Sequence, residues 1–287
     1  MEVDNYYSMG KLIDGRKIAE KINKKTAEKV KELRARGIIP KLGVVLVGDD
    51  KSSVLYVNRK KAIAEKIGVD FVLHKLPANI SKTELLNKIK EVQKKGDLSG
   101  LIIQLPLPDW SWTFEAVNRV SPDIDVDCLT NENLGKIVSG SNFISPPTAG
   151  AVVSILEDLK INLAGKNIVL VGTGLLVGKP LAAMLINKRA SVTTCNRATK
   201  NIKEKCREAD IIVSSAGKRN LIRGNMIKKN AIVIDAGVSF LRGKAVGDVS
   251  VKEVLPIAKY ITPTPGGVGP ITVAMLLKNT VKCAGKI

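Results

Sequence analysis

A lysine, a tyrosine and a glutamine are the residues of this chain whose types and spacing first suggest chemistry. Tyr56 and Lys60 stand four residues apart in a segment, 53–68, that has the pattern of a helix, so their side chains share one face. Gln104 ends the apolar strand in IIQLPLP, and residues at the carboxyl ends of strands face the ligand crevice in open α/β folds. A lysine held in such a crevice can transfer protons, whereas the alternative is one more solvated lysine among 46 basic residues.

Three aspartates alternate with other residues in PDIDVDCL, at Asp123, Asp125 and Asp127. A rigid strand or turn would place all three carboxylates on one side, and the alternative is a solvated loop. His74 is the only histidine, which excludes any mechanism or metal site that needs two. The cysteines are scattered without a CxxC pair, so we interpret them as reduced thiols of a cytoplasmic protein that binds no metal.

A glycine-rich turn follows the apolar segment 167–171 and predicts a dinucleotide site. Its residues are Gly172, Thr173, Gly174, Val177 and Gly178, in the spacing GxGxxxG. Glycines let the backbone approach a pyrophosphate, whose charge then lies at the amino terminus of the next helix. A purely structural glycine turn is the alternative.

The end of the next strand indicates which dinucleotide is bound. NAD enzymes usually place an acidic residue there, but this chain has Asn196 and Arg197. Arg197 can pair with a 2′-phosphate, which favours NADP, and the alternative is a solvated surface charge.

Apolar strands alternate with helix-length segments throughout, which predicts an α/β protein with a largely parallel sheet. The break at SPPTAG, residues 145–150, predicts a boundary between two domains. Residues 1–8 precede the first predicted element and are expected to be a disordered extension. The predicted helices span 16–36, 53–68, 82–95, 149–159, 179–187 and 271–281, and the predicted strands span 42–48, 71–76, 100–105, 167–171, 191–195, 211–215 and 231–235.

The net charge of +19 favours anionic small molecules, such as nucleotide phosphates or polyglutamate tails, or simply keeps the surface soluble. Aromatic residues make up only 3% of the chain, which leaves few stacking platforms for a nucleic acid. No apolar run reaches the length of a membrane span, and the amino terminus lacks the pattern of a signal peptide. We therefore expect neither nucleic acid nor a membrane as a partner.

Together these motifs resemble the methylenetetrahydrofolate dehydrogenase/cyclohydrolase family. The resemblance is carried, in chain order, by SVLYVNRKKAIAEKIGV, GLIIQLPLP, PDIDVDCLTNENLGK, ADIIVSSAGK, AIVIDAGVS, GDV and ITPTPGGVGPITVAMLLKNT. It covers nearly the whole chain from Lys11 onward, and PTPGGVGP and the YVxxK/QLPLP pair are its most specific parts.

The resemblance implies a two-domain α/β fold with a cleft between an amino-terminal catalytic domain and a Rossmann-like NADP-binding domain. The catalytic domain would span 9–147 and be completed by a helix at 270–287, and the NADP domain would span 148–269. The implied activities are oxidation of 5,10-methylenetetrahydrofolate with NADP and hydrolysis of the methenyl product to 10-formyltetrahydrofolate, in the one-carbon metabolism that feeds purine biosynthesis. A cytoplasmic homodimer acting on tetrahydrofolate derivatives, polyglutamylated ones included, is implied as well.

The resemblance also implies residue roles. Lys60 would be the catalytic lysine and Gln104 would orient it, while Tyr56 would stack on the aromatic part of the folate and Asp127 would hold the pterin. The remaining folate-binding residues would be Ser53, Gly266, Gly267 and Pro270. The cofactor would be held by Gly172, Thr173, Gly174, Val177, Gly178, Asn196, Arg197, Ala216, Gly217, Gly237 and Val238.

Several positions depart from the family's pattern. Thr173 and Gly174 replace an arginine and a serine, and Asn196 and Arg197 replace a histidine and a serine, so Arg197 is expected to compensate in binding the cofactor phosphate. In the folate pocket, Cys128 replaces a glycine. The other departures are Asp123 for a lysine and Ala151 for a glycine.

Two other classes of protein stay open from sequence. A shikimate-type dehydrogenase also pairs a lysine with an aspartate, but its small anionic substrate has no use for Tyr56 as a stacking residue or for PGGVGP. A non-catalytic nucleotide- or nucleic-acid-binding protein has no use for the combination of Tyr56, Lys60, Gln104 and Asp127.

Overall fold

The structure, a computed structural model, describes residues 10–241 and 244–286, so the predicted disordered extension at 1–8 lies outside it. The chain divides into two compact units, which we name by their sheets. The three-stranded unit holds Ala19–Pro147 and the described residues from Thr272 onward. The six-stranded unit holds Thr148–Ile271 and the described residues up to Ile18.

Strands and helices alternate along most of the chain, as predicted for an α/β protein. The strands are β1 Lys11–Leu12, β2 Lys41–Val47, β3 Asp70–Leu76, β4 Gly100–Ile103, β5 Asn167–Val171, β6 Ser191–Cys195, β7 Ile211–Ser214, β8 Ile232–Asp235, β9 Ser239–Leu241, β10 Lys244–Val246 and β11 Tyr260–Ile261. The helices are α1 Gly15–Ala35, α2 Lys51–Ile67, α3 Lys82–Lys94, α4 Thr113–Asn118, α5 Asn131–Ser139, α6 Pro147–Asp158, α7 Gly178–Asn187, α8 Ile202–Glu208, α9 Val251–Val254 and α10 Val268–Ala284.

The three-stranded unit has a parallel sheet in the order β3-β2-β4, and its central strand is apolar on both faces. Leu42, Val44 and Leu46 of β2 pack in one core, while Val45 and Val47 pack in the other. Because successive side chains of a strand point to opposite faces, one continuous apolar run serves two helical layers. The α2 helix follows β2 and ends at Gly68, whose φ of 83° is the left-handed cap expected of glycine.

The six-stranded unit has the order β1-β11-β8-β7-β5-β6, with every pair parallel. Here the structure differs from the expected domain limits, since residues 10–18 belong to this unit and not to the first domain. The physical reason is that β1 pairs with β11 in register, Lys11 with Tyr260 and Leu12 with Ile261. Strands of two residues give too little periodicity to be predicted.

The other predicted elements are found within a few residues of their expected limits. The antiparallel pair β9 and β10 and the short helices α4, α5, α8 and α9 were not predicted. The α10 helix begins at Val268, three residues before its predicted start, because a proline is tolerated in the first turn of a helix. Within 10–241 and 244–286, no helix combines the length and the apolar character needed to cross a membrane.

Candidate active site

A hydrogen bond joins Lys60 on α2 to Gln104, just beyond the end of β4. The Lys60 Nζ donates to Gln104 Oε1 at 2.9 Å, and Gln104 Nε2 donates to the Leu105 carbonyl at 2.8 Å. The second bond keeps the amide oxygen turned toward the lysine. Gln104 is buried, and its backbone N–H donates to the Val45 carbonyl at 2.8 Å. Gln104 is therefore an uncharged acceptor in a fixed position. It orients the ammonium without stabilising the charged form of the lysine as a carboxylate would.

The electrostatic environment of Lys60 suits proton transfer. Burial lowers the pKa of Lys60 from its ordinary value, and the negative charge of Asp127 opposes that effect. Burial also raises the pKa of Asp127 to about 6, against the lowering effect of Lys60. An amine whose pKa moves toward neutrality can both take up and release a proton.

Asp127 is half-buried, yet its carboxylate accepts no hydrogen bond from any residue in the described part of the chain. Ser53 is 3% exposed, and its Oγ likewise has no partner among the described residues. Buried polar groups are normally hydrogen-bonded, so the Ser53 hydroxyl, together with the Asp127 carboxylate that lacks a donor, suits a site completed by a ligand; Asn23 Oδ1 is the other buried side-chain atom without a partner among the described residues. Ser53, Tyr56 and Lys60 lie three and four residues apart on α2 and therefore share one helix face. Burial raises the pKa of the half-buried Tyr56 phenol.

The expectation that Asp123, Asp125 and Asp127 point to one side is wrong. Their segment is a series of turns, which lacks the period of two that a strand would impose. Asp123 is exposed, whereas Asp125 is buried and accepts the backbone N–H groups of Leu129 and Thr130 at 3.2 and 2.9 Å. Asp125 thus fixes the local backbone, and Asp127 remains as the carboxylate that influences the lysine.

The predicted glycine turn follows β5 in the six-stranded unit. Gly172 has a φ of 116°, and a Cβ there would lie 2.6 Å from the Ser215 carbonyl oxygen. A Cβ on Gly178 would lie 1.9 Å from the Gly172 carbonyl oxygen, while Gly174 faces open space. Val177 provides no side-chain cap for α7, and in its first turn Lys179 N–H donates to the Gly174 carbonyl at 3.1 Å while Pro180 has no N–H, which leaves the Gly178 N–H for an anion. The turn thus has the close backbone packing of a pyrophosphate site and, at the helix end, one N–H that is bonded to none of the described residues.

The turn after β6 presents Arg197 to solvent. The Asn196 side chain accepts the Ala198 N–H at 2.9 Å, which closes a tight turn with the exposed Arg197 at its tip. The turn holds no carboxylate that would compete for the guanidinium. Of the other predicted cofactor residues, Thr173 is half-buried and Val238 is 40% exposed.

Two buried aspartates organise the loops after β7 and β8, and sequence reasoning gave them no role. Asp248 is fully buried and accepts the N–H groups of Ala216, Gly217 and Lys218 at 2.7, 3.2 and 2.8 Å. Asp235 ends β8 with 2% exposure. The backbone N–H groups of Ala216 and Gly217, two of the predicted cofactor residues, are therefore already bonded to protein.

Asp235 in turn holds the backbone around Asp248. It accepts the N–H groups of Gly237, Asp248 and Val249 at 3.1, 3.1 and 3.0 Å. Burial raises its pKa to about 6. A Cβ on Gly237 would lie 2.2 Å from the Asp248 carboxylate, and one on Gly247 would lie 1.9 Å from that of Asp235. In the motifs AIVIDAGVS and GDV, each aspartate lies within two residues of one of these glycines. That spacing is the feature of the sequence from which a supporting role of the aspartates could have been predicted.

The PGGVGP segment lies in the six-stranded unit, not with Lys60 in the three-stranded unit. Gly267 is buried, and a Cβ on Gly15 would lie 1.8 Å from its carbonyl oxygen, so Gly267 is fixed by backbone packing. Gly266, with a φ of 106°, and Pro270 are half-buried. The predicted folate residues are thus divided between the two units.

Comparisons with known proteins match both parts of the chain to one family. Residues 13–127 match the catalytic-domain model of tetrahydrofolate dehydrogenase/cyclohydrolase, and residues 146–287 match its NAD(P)-binding-domain model. The bifunctional protein FolD of Nautilia profundicola is 43% identical over 95% of this chain and 96% of its own length.

Two solved structures have the same fold over nearly their whole length. The bifunctional FolD enzyme of Campylobacter jejuni gives a TM-score of 0.93 at 39% identity, covering 96% of this chain and 99% of its own. The Trypanosoma brucei methylenetetrahydrofolate dehydrogenase-cyclohydrolase, in complex with NADP cofactor and inhibitor, gives a TM-score of 0.92 at 36% identity, covering 97% and 98%. The chain belongs to the tetrahydrofolate dehydrogenase/cyclohydrolase family.

Proposed function

We propose that this chain oxidises 5,10-methylenetetrahydrofolate to 5,10-methenyltetrahydrofolate with NADP and hydrolyses the methenyl product to 10-formyltetrahydrofolate. The observation that carries the proposal is the bond between Lys60 Nζ and Gln104 Oε1, beside a carboxylate, Asp127, that lacks a hydrogen-bond partner among the described residues. Membership of the family and the two activities named for its similar members support the same conclusion.

The hydrolysis needs a group that moves a proton. Water adds to the cationic methenyl carbon and loses a proton, which leaves a neutral adduct with a hydroxyl group. The adduct then opens as one of its two nitrogens takes up a proton and the hydroxyl releases its own to form the formyl C=O, so that one proton in all is released to solvent. Lys60, whose pKa is lowered by burial, can accept the first proton in its neutral form and return it to the departing nitrogen. Gln104 directs the Lys60 Nζ during both transfers.

The orphaned polar groups of the three-stranded unit suit the folate ring system. The Asp127 carboxylate can accept hydrogen bonds from the N–H donors of the pterin, and the Ser53 hydroxyl can bind a neighbouring polar atom. Tyr56, on the same helix face, supplies an aromatic surface for stacking. A pterin bound to Asp127 would also bring the reacting carbon to the side of the site that Lys60 serves.

The six-stranded unit fits NADP. The closely packed glycine turn and the Gly178 N–H at the start of α7 suit the pyrophosphate, and the exposed Arg197 suits the 2′-phosphate. When bound, NADP accepts the hydride from the methylene carbon. The protein has only to position donor and acceptor in this step, and no side chain has to move a proton.

We further propose that the enzyme is a cytoplasmic homodimer and that its natural folates carry polyglutamate tails. The net charge of +19 suits such polyanionic tails. Light scattering of the purified protein would contradict the dimer if the mass were that of one chain, 30.9 kDa. Equal Michaelis constants for mono- and pentaglutamylated substrate would contradict the role of the tail.

The two activities can be tested with the purified protein. It is incubated with methylenetetrahydrofolate and either NADP or NAD, and the near-ultraviolet absorbance of the methenyl product is separated from that of the reduced cofactor. Decay of added methenyltetrahydrofolate is followed without cofactor. Failure to form the methenyl compound with either cofactor would refute the dehydrogenase, and decay at the rate without enzyme would refute the hydrolase.

A further inference from the structure

The strand order assigns the two halves of the bound dinucleotide to different loops. β5, which carries the glycine turn, is paired with β6 on one side and β7 on the other. Arg197 follows β6, so the 2′-phosphate and the adenosine end lie on that side. With the pyrophosphate at the glycine turn, the nicotinamide riboside extends toward the loop after β7. This step rests on the function proposed above.

The loop after β7 is held from within by one side chain. Three consecutive N–H groups, those of Ala216, Gly217 and Lys218, donate to the Asp248 carboxylate. Asp248 is fully buried, whereas these three loop residues are exposed. The carboxylate also accepts the Ser214 hydroxyl at 2.8 Å. The N–H groups of residues 216–218 are thus turned inward.

An inward N–H face implies an outward carbonyl face. In a planar trans peptide the N–H of one residue and the C=O of the residue before it point in opposite directions. The carbonyls of Ser215, Ala216 and Gly217 therefore point away from Asp248. A second observation locates the Ser215 carbonyl: its oxygen is the atom that a Cβ on Gly172 would meet at 2.6 Å. It consequently lies beside the glycine turn, where the cofactor is expected.

We propose that Asp248 is a positioning residue for the nicotinamide-riboside half of NADP, holding the carbonyls of Ser215, Ala216 and Gly217 toward the cofactor. That half of the cofactor carries ribose hydroxyls and a carboxamide, which are donors and match a row of carbonyl acceptors. Asp235 keeps Asp248 in place by accepting its backbone N–H at 3.1 Å.

The test compares Asp248→Asn with the parent protein for three ligands. Asparagine keeps the shape of aspartate but turns an amide NH₂ toward N–H donors, so the loop must rearrange. We expect NADP to bind at least about tenfold more weakly, which corresponds to the loss of one or two such bonds. We expect adenosine 2′,5′-bisphosphate, which lacks the nicotinamide half, to bind within about twofold of the parent. Methenyltetrahydrofolate hydrolysis without cofactor, which uses Lys60, should also stay within about twofold.

Two further variants keep the inference falsifiable. Gly217→Ala strains the loop, because Gly217 has a φ of 65°, but its Cβ would meet no atom closer than 3.8 Å. It should therefore reproduce the selective loss of NADP affinity without disturbing the core. This variant tests the inference even if Asp248→Asn fails to fold. Asp125→Asn removes a comparable buried acceptor of backbone N–H groups in the other unit, and NADP affinity should be unchanged.

Three results would overturn the inference. The first is unchanged NADP affinity in folded Asp248→Asn or in Gly217→Ala. The second is equal loss of NADP and of adenosine 2′,5′-bisphosphate, which would show general damage to the six-stranded unit. The third is a parent protein that binds neither ligand, which would refute the proposed function itself and the inference with it.

Discussion

Replacement of Lys60 by methionine separates the two proposed activities. Methionine keeps much of the length and volume of the lysine stem and removes the ammonium that donates to Gln104 Oε1 at 2.9 Å. Hydrolysis of the methenyl compound depends on that group for both proton transfers. Hydride transfer depends on it only for positioning, so the dehydrogenase should remain measurable.

The expected size of the effect follows from the environment of Lys60. A positioned acid or base contributes roughly 10²–10⁴-fold to a rate, which corresponds to about 3–5 kcal/mol. Burial has lowered the pKa of Lys60 toward the range in which this contribution is largest, so we expect hydrolysis to fall at least about 10³-fold. NADP reduction should fall by no more than about tenfold, the usual effect of losing a single positioning bond.

The same variant tests the burial of the ammonium. Because the pKa of Lys60 is lowered in the folded protein, the unfolded chain binds more protons between that lowered pKa and 10.5, and stability rises with pH over this range. Lys60→Met should lose this part of the pH dependence. Its free energy of unfolding at neutral pH should equal or exceed that of the parent, because no buried charge remains to be desolvated.

Lys61→Met is the matched control. Lys61 is 54% exposed and lies 3.8 Å from Glu65, so its removal should change neither activity by more than about twofold. Both activities are measured on the same preparations, hydrolysis by decay of methenyl absorbance and oxidation by formation of reduced cofactor. If Lys60→Met hydrolyses the methenyl compound at the parent rate, Lys60 is not the proton shuttle.

Three further changes have distinct expected outcomes. Arg197→Ala should raise the Michaelis constant for NADP about tenfold and leave that for NAD unchanged, and equal use of both by the parent would contradict the 2′-phosphate contact. Since burial raises the pKa of Asp127 to about 6, kcat/KM for hydrolysis should fall as the pH drops below about 6. If the pH profile of kcat/KM for Asp127→Asn keeps this fall, Asp127 is not its cause. Burial likewise raises the pKa of Asp235 to about 6, so between about pH 4 and 6 the folded protein binds a proton that the unfolded chain has lost. The contribution of Asp235 to the free energy of unfolding therefore declines as the pH rises through this range. Urea unfolding of Asp235→Asn should lack that decline.

The contact between Lys60 and Gln104 was implied by the family resemblance, and simple periodic rules placed each residue on the element that carries it. A helix brings residues four apart to one face, and the carboxyl ends of parallel strands meet at one edge of a sheet. The strand before Gln104 was predicted as an apolar run, and the structure shows that it pairs with β2.

Predictions failed where distant or irregular backbone decides the outcome. The two residues of β1 are held by β11, almost 250 positions away, and no local pattern encodes that pairing. The acidic run of 123–127 alternates like a strand but folds as turns that meet β4 only at one bridge, Leu101 with Asp125, while the Asp125 carboxylate accepts nearby N–H groups. The role of Asp248 depends on N–H groups some thirty positions earlier, so the GDV motif alone could not reveal it.

The number of backbone N–H groups that a carboxylate accepts separates Asp127, the proposed ligand-binding aspartate, from the aspartates that support the fold. Asp125, Asp235 and Asp248 each accept two or more backbone N–H groups, so their lone pairs are committed to the fold. Asp127 is half-buried and receives no such bond from the described residues; burial raises its pKa, and the charge of Lys60 opposes that effect. A desolvated carboxylate without donors is unfavourable in the free protein, and a ligand that supplies N–H groups relieves that cost. The binding energy of the pterin would thus come in part from an aspartate that the fold leaves unsatisfied.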